Sequence, residues 1–257
     1  VAISASAGAG CRHRRHRPAW NSSRDTAAAA NAVGWDTVLV LAIDTSTPAV
    51  TAGVARLLDD DVSVLGQRVT ENARAHGELL TPHILESARD AEVELHELDA
   101  IVCGVGPGPF TGLRAGIATA AALAHALGIP AHPVCSLDAI AAEAPRGEAL
   151  AVVTDARRRE VYWASYDGWG ARTHGPHVQR PADLRLSTRA AAGEGALLYA
   201  DALHVEPIEP YHPSPSGLVA AARHSLESAQ SPAALVPLYL RRPDATEPGA
   251  RKRVTPR

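Results

Sequence analysis

The sequence predicts an α/β protein of two lobes with mixed sheets, the second lobe smaller than the first. Three observations predict it. Apolar, β-branched runs of strand length alternate with helix-length segments whose apolar residues fall on one face. Three strand-like runs come before the first helix, after which helix and strand alternate, an order that implies a mixed sheet. The same order then returns in shortened form.

The elements follow in chain order. Val38–Ile43 is rich in Val, Leu and Ile and reads as a buried strand, and Thr45–Pro48 as a turn. Val50–Leu57 and Val62–Val69 are two further strands. Glu78–Ala91 is helical, with Leu80, Ile84, Ala88 and Ala91 on one face and Pro82 near the first turn, where proline is best tolerated. Leu98–Val105 is a buried strand, and Gly106–Gly112 a tight Gly/Pro loop. Leu113–Leu127 is an Ala-rich helix with Thr111 as a candidate N-cap, closed by Gly128 and Pro130. Val134 to Ala142 gives a short strand and helix. In the second cycle Ala149–Thr154, Val161–Tyr166 and Leu197–Ala200 read as strands, with Asp167-Gly168 as a turn, and Ser216–Ala229 as a helix.

Four segments result. Residues 1–37 carry five arginines among Ala, Ser and Gly, without the apolar core of a secretory signal. They are expected to be a disordered extension, or upstream sequence translated from an early start, with Val38 or Val40 as the true one. Residues 38–145 form the first lobe, which is also expected to bind partners. Residues 146–243 form the smaller second lobe. Residues 244–257 are polar and basic and are expected to be a disordered tail.

Composition narrows the chemistry. The 257 residues are 46% hydrophobic, enough for real cores. No apolar run reaches the ~18 residues of a membrane span. The formal net charge is −3, so bulk charge does not mark a nucleic-acid binder. Cys11, Cys103 and Cys135 lack metal or disulfide spacing and point to a reducing compartment, with Cys103 as a buried inert thiol. The only lysine is Lys252, which excludes a GxxxxGK[ST] phosphate loop and makes lysine-base chemistry improbable.

Four segments are candidates for function. In Ala42–Thr47, Asp44 ends a strand and Thr45, Ser46 and Thr47 follow in a turn. Hydroxyls and backbone N–H groups there would surround phosphate oxygens, and Asp44 would hold a metal-bound water. The same residues also suit an ordinary capped turn. In Gly104–Arg114, Gly106, Gly108, Thr111 and Gly112 lie between a strand and a helix, either as an anion or partner site at the helix N-terminus or as a rigid corner. In His76–His83 the two histidines lie about 10.5 Å apart along a helix, too far for one zinc bonded to each nitrogen at ~2.0–2.1 Å. That helix face is either a packing surface for a partner or a solvated face. In Thr154–Trp163, Arg157, Arg158 and Arg159 turn between two strands, either to meet phosphate or an acidic partner or simply to be solvated. His132, Ser136 and Asp138 form no recognisable catalytic pattern.

Five of these stretches occur in an order that resembles the bacterial TsaB (YeaZ-type) family. They are Leu41–Thr47, His76–Pro82, Gly106–Arg114, Asp155–Arg158 with Glu160–Trp163, and Pro237–Arg241. Together they span most of the chain from Leu39 to Arg242, and the glycine loop is the most specific, although Pro109 stands where that family usually has Ser. The resemblance implies a duplicated actin/Hsp70-like ATPase (ribonuclease H-like) fold. It also implies a cytoplasmic, non-catalytic role in forming N6-threonylcarbamoyladenosine beside the tRNA anticodon. The implied partners are the paralogous transferase TsaD and the ATPase TsaE, with tRNA met indirectly through the complex, and a homodimer when alone. The implied interface lies on the first lobe's two long helices, giving His76, Glu78, Leu79, Leu80, His83, Ile84, Leu113 and Ile117 as candidates. Asp44, Thr45, Ser46 and Thr47 become a vestigial phosphate site. TsaD binds its metal through an HxxxH pair whose positions fall here on Ser136 and Ile140. The chain is therefore expected to hold no metal or cofactor, with ATP and metal on its partners. Two other activities compete: a small-molecule kinase of the same fold, and a metalloprotease, the latter opposed by the missing HExxH and HxxxH motifs.

Overall fold

The computed structural model describes residues 37–58 and 61–241, all within one compact unit. The expectations for 1–37 and 244–257 lie, Thr37 apart, outside the described residues.

The first sheet is built from β1 (Val38–Asp44), β2 (Ala49–Leu58), β3 (Asp61–Glu71), β4 (Ala100–Gly104) and β5 (Ala131–Val134). Their spatial order is β3-β2-β1-β4-β5. The first three strands pair antiparallel, and β4 and β5 add parallel to β1. The parallel pairs need crossovers, supplied by α1 (His76–Asp90) and α2 (Phe110–Leu127).

The second sheet repeats this order. Its strands are β6 (Leu150–Asp155), β7 (Val161–Tyr166), β8 (Arg172–Gln179), β9 (Ala190–Ala192) and β10 (Glu206–Pro207). They lie as β8-β7-β6-β9-β10, with β6, β7 and β8 antiparallel and β9 and β10 parallel to β6. Third, second, first, fourth, fifth holds in both sheets. The fold is thus a duplicated α/β unit of the actin/Hsp70-like, ribonuclease H-like type, with the second copy trimmed.

The lobes exchange helices. Val38, Val40 and Ala42 of β1 pack beneath Leu218, Val219 and Ala222 of α6 (Pro215–Glu227), whereas Leu41 and Ile43 pack under Leu80, Ile84 and Ala120 of α1 and α2. Burial on both faces explains why β1 reads as a continuous apolar run. In the second lobe, α3 (Ser136–Glu143) covers one face through Leu137, Ile140 and Ala141 against Leu150 and Val152. The other face, through Ala151 and Val153, meets α4 (Glu194–Leu198) and α5 (Ala200–Leu203). A cut at residue 145 therefore does not separate the lobes in space: α3 belongs to the second sheet and α6, near the end of the chain, to the first. The two helices pack on each other between the sheets.

Four local expectations are corrected. Leu197–Ala200 is helical, and the strand lies earlier at Ala190–Ala192, where three alanines carry no β signal. β8 was not expected, because it is a polar edge strand containing Gly175 and Pro176. Thr111 is not an N-cap: α2 starts at Phe110 behind Pro109, with no side-chain cap. Pro82 lies inside α1, which starts two residues earlier than expected, on an exposed side where water can serve the freed carbonyl.

Candidate functional site

The β1–β2 turn is folded in on itself. Asp44 is 1% exposed, and Thr45, Ser46 and Thr47 are also buried. Its Oδ1 accepts from the backbone N–H and the hydroxyl of Ser46, both at 2.7 Å, and its Oδ2 accepts from the Ser136 hydroxyl at 2.5 Å. Burial raises the Asp44 pKa, opposed by the hydrogen bonds from Ser136 and Ser46 and by the nearby His76. Thr45 Oγ1 donates to the Gly112 carbonyl at 2.7 Å and accepts from the Gly116 N–H at 3.1 Å.

The glycine loop makes this closure possible. A Cβ on Gly104 would lie 1.7 Å from Asp44 Oδ2, and one on Gly108 would lie 2.2 Å from the Ser46 carbonyl oxygen. Only bare backbone fits, so the glycines admit the chain's own turn where an anion site was one reading. Gly106, with φ +94, exchanges bonds with Ser136: its N–H reaches Ser136 Oγ at 3.2 Å, and its carbonyl accepts from the Ser136 N–H at 2.8 Å. At residues 44–47 the Thr45 and Ser46 hydroxyls donate to the Gly112 carbonyl and to Asp44, and Thr45 and Thr47 line a cavity of about 220 Å³ beside His76, Thr111 and Arg157.

The candidate interface residues divide. Leu80, Ile84 and Leu113 are core side chains with no face to offer a partner. His83 is buried, with Nε2 at 2.9 Å from the Thr70 hydroxyl, and burial lowers its pKa. His76 Nε2 donates to the Thr47 carbonyl at 2.8 Å. Leu79 and Ile117 are half-buried, and Glu78 and Thr111 are exposed. The surface that sequence reasoning missed centres on Leu85, 49% exposed, beside a groove of about 480 Å³ lined by Arg89, Val93, Leu95 and Leu127. Leu85 directly follows Ile84 and so lies about 100° round the helix from the buried row.

The two HxxxH positions are occupied structurally. Ser136 is bonded to Asp44, and Ile140 is 0% exposed under the second sheet. Among the described residues no group of three or more His, Cys, Asp or Glu side chains is placed to hold a metal ion. None of the helices described is long and apolar enough to cross a membrane. Burial raises the Cys103 thiol pKa, as suits a packed thiol.

Two further clusters escaped sequence reasoning because their members are far apart in the chain. Between the lobes, Glu194 accepts from the Asp155 N–H at 3.2 Å, and His212 Nε2 lies 2.9 Å from Glu71 and its Nδ1 3.9 Å from Glu194. Burial, with Asp155 and Asp44 adding repulsion, pushes Glu194 up to about 8. Gly193 and Gly195 around Glu194 were the one signal available. The second cluster is a strap. Leu238 N–H donates to Val105 at 2.8 Å, and Arg114 Nε donates to the Tyr239 hydroxyl at 2.8 Å with its guanidinium 5.6 Å from the Phe110 and Tyr239 rings. Arg241 donates to the Ala156 carbonyl at 2.8 Å and to the Glu160 carboxylate. The strap ties the glycine loop to the β6–β7 turn.

Comparisons place this architecture among known proteins. The family model described as "TsaD: tRNA N6-adenosine threonylcarbamoyltransferase" matches residues 64–247. An uncharacterized protein of Mycobacterium tuberculosis (strain ATCC 25618 / H37Rv) is 57% identical over 206 residues, covering 80% of this chain and 93% of that protein. The Bacillus subtilis (strain 168) tRNA threonylcarbamoyladenosine biosynthesis protein TsaB is 35% identical over 128 residues, 49% of this chain and 54% of that one. The structure of YeaZ from Pseudomonas aeruginosa aligns with a TM-score of 0.67 at 29% identity, covering 79% of this chain and all of that one. With the paired sheets, the glycine-sealed turn and these matches together, the chain belongs to the TsaD family as a TsaB-type member.

Proposed function

We propose that this chain is a non-catalytic subunit in the synthesis of N6-threonylcarbamoyladenosine on tRNA, pairing with a TsaD-type transferase and with TsaE. Its named relatives support the pathway. The observation that carries the non-catalytic part is the state of the two positions where the transferase holds metal: Ile140 has no donor atom and sits in the core, and the Ser136 hydroxyl is committed to Asp44. A Lewis acid would have no protein ligand there. ATP and metal then act on the partners, and tRNA is met through the complex. The exposed side of α1 at Leu85, with exposed Glu78 two turns away on the same side of the helix, supports a partner surface on the first lobe.

The test is a reconstituted reaction on unmodified tRNA. It contains TsaD, TsaE and the enzyme that makes threonylcarbamoyl-adenylate, with or without the full chain. Product only in its presence is expected. Equal product without it would overturn the assignment, and product from this chain without TsaD would overturn its non-catalytic part.

A further inference from the structure

The segment that returns the chain from β10 to α6 is fastened to both lobes. On the second lobe, Gly193 N–H donates to the Pro210 carbonyl and Ile208 N–H to the Ala191 carbonyl, both at 2.9 Å. On the first, the Thr51 hydroxyl donates to the Pro213 carbonyl at 2.9 Å. His212 lies within this segment, between two acids. Its Nε2 is 2.9 Å from Glu71 Oε1, at the end of β3 in the first sheet. Its Nδ1 faces Glu194 Oε2, at the start of α4, across 3.9 Å.

His212 Nδ1 and Glu194 Oε2 are both shut off from solvent, and neither has a hydrogen-bond partner among the described residues. Buried polar atoms left so destabilise a fold. The separation is too long for a hydrogen bond. The terminal torsion of a glutamate is soft, and a small rotation of the carboxyl group brings the two atoms into bonding range.

Proton counting fixes what such a bond requires. A neutral imidazole has one N–H and one lone pair. With Nε2–H donated to Glu71, Nδ1 presents its lone pair to Glu194, and an ionised Glu194 presents another. The gap bonds only when it holds one more proton. That proton sits on Glu194, as a carboxylic acid donating to Nδ1, or on His212, as an imidazolium donating to the carboxylate. The two forms differ only in which side of the gap it occupies. The other tautomer of His212 would merely move the clash to Glu71. The surroundings favour keeping the proton. Burial disfavours an ionised Glu194, against the Asp155 N–H that favours it, and Asp155 of β6 and Asp44 of β1 add repulsion. Arg157 Nε lies 3.9 Å from Asp155, and His76 lies near Asp44.

We propose that Glu71, His212 and Glu194 form a proton-operated latch between the lobes. With a proton in the His212–Glu194 gap, the return segment is fastened to both lobes; without it, the hold on the second lobe is released. The latch does not depend on the proposed role on tRNA.

Hydrogen exchange of the full chain reads the segment itself. It is followed by mass spectrometry at about pH 6 and about pH 9, either side of the Glu194 titration, and corrected for the intrinsic pH dependence. The variant is Glu194→Gln, whose amide N–H fills the gap with a donor that does not titrate. In the wild type, protection of peptides covering Gly193 and residues 208–214 is expected to fall about tenfold between the two conditions, while α1 and α2 keep theirs. In the Gln variant the two values are expected to agree. Wild-type protection independent of pH, or an equal fall in the Gln variant, would overturn the latch. A fall that includes α1 and α2 would overturn it in favour of a general loosening. A second measurement needs only folded wild type: nitrogen NMR of ring-labelled histidine, with the His212 signals assigned by their loss in His212→Gln. Nδ1 is expected to shift as the pH passes about 8. An Nδ1 that responds only near ~6.5, as an isolated histidine does, would overturn the shared proton and the latch with it.

Discussion

Asp44 shows how one residue type serves opposite ends depending on what surrounds it. At a strand end before Thr and Ser, its sequence fits both a phosphate site and a capped turn, and local pattern cannot separate them. Ser136, 92 residues away, supplies the third hydrogen bond to this buried carboxylate, a contact that no local pattern shows. Ser136→Ala is expected to cost about 1–3 kcal/mol, because it strands a buried acceptor. Chemical denaturation measures this directly, and an unchanged midpoint would mean that the Ser46 bonds alone suffice. The Arg157–Arg159 turn gives a prediction of opposite sign. Arg159 has φ +61, and Arg159→Gly is expected to raise stability by roughly 1 kcal/mol as strain is released, seen as a higher Tm. A Tm that falls would show that the arginine side chain contributes more to the fold than its backbone costs.

At the scale of the element, what was legible followed the strength of the periodic signal. β1, β2, β4, α1, α2 and α6 are long, apolar on at least one face, and were placed to within a few residues. β8 and β9 were missed for physical reasons: one is a polar edge strand, and the other is three alanines held by neighbours on both sides. The candidate interface residues divide for a related reason: Leu80, Ile84 and Leu113 lie on the apolar row that the core consumes, whereas Glu78, Leu79 and Ile117 keep exposed or half-buried positions. α3 against α6 is an element pair that a single substitution would strain. A Cβ on Gly217 would lie 2.3 Å from the Ala139 carbonyl oxygen, so the helices must part to admit it. Gly217→Ala is expected to lower stability by about 1–3 kcal/mol, as overpacking does, with amide exchange rising first in α3 and α6. Uniform protection in those helices would show that the junction yields at no cost.

For the whole molecule, the cleft between the lobes is held by groups from both. Glu71 comes from the first sheet, Glu194 and Asp155 from the second lobe, and His212 from the return to α6. Folding raises the Glu194 pKa from 4.5 to about 8, so the folded chain holds that proton more tightly than the unfolded chain. The resulting stability is complete below about pH 4.5 and is lost as the pH rises to about 8. Glu194→Gln removes the titration and is expected to flatten this part of the pH–stability curve, with the variant gaining on the wild type by several degrees in Tm at pH 8. Parallel curves for the two proteins would show that Glu194 is not the group responsible.

The return of α6 to the first sheet also bears on how the chain is made. The apolar face formed by Val38, Val40, Ala42, Ala55 and Leu57 stays bare until residues 215–227 have left the ribosome. At about 5–20 residues per second this is a wait on the order of ten seconds. A nascent chain in that interval exposes a sticky surface, which makes it a natural client for chaperones. A message truncated between Pro207 and Pro215 would yield both sheets with one face of the first permanently uncovered, and so an aggregating product in place of a smaller working protein.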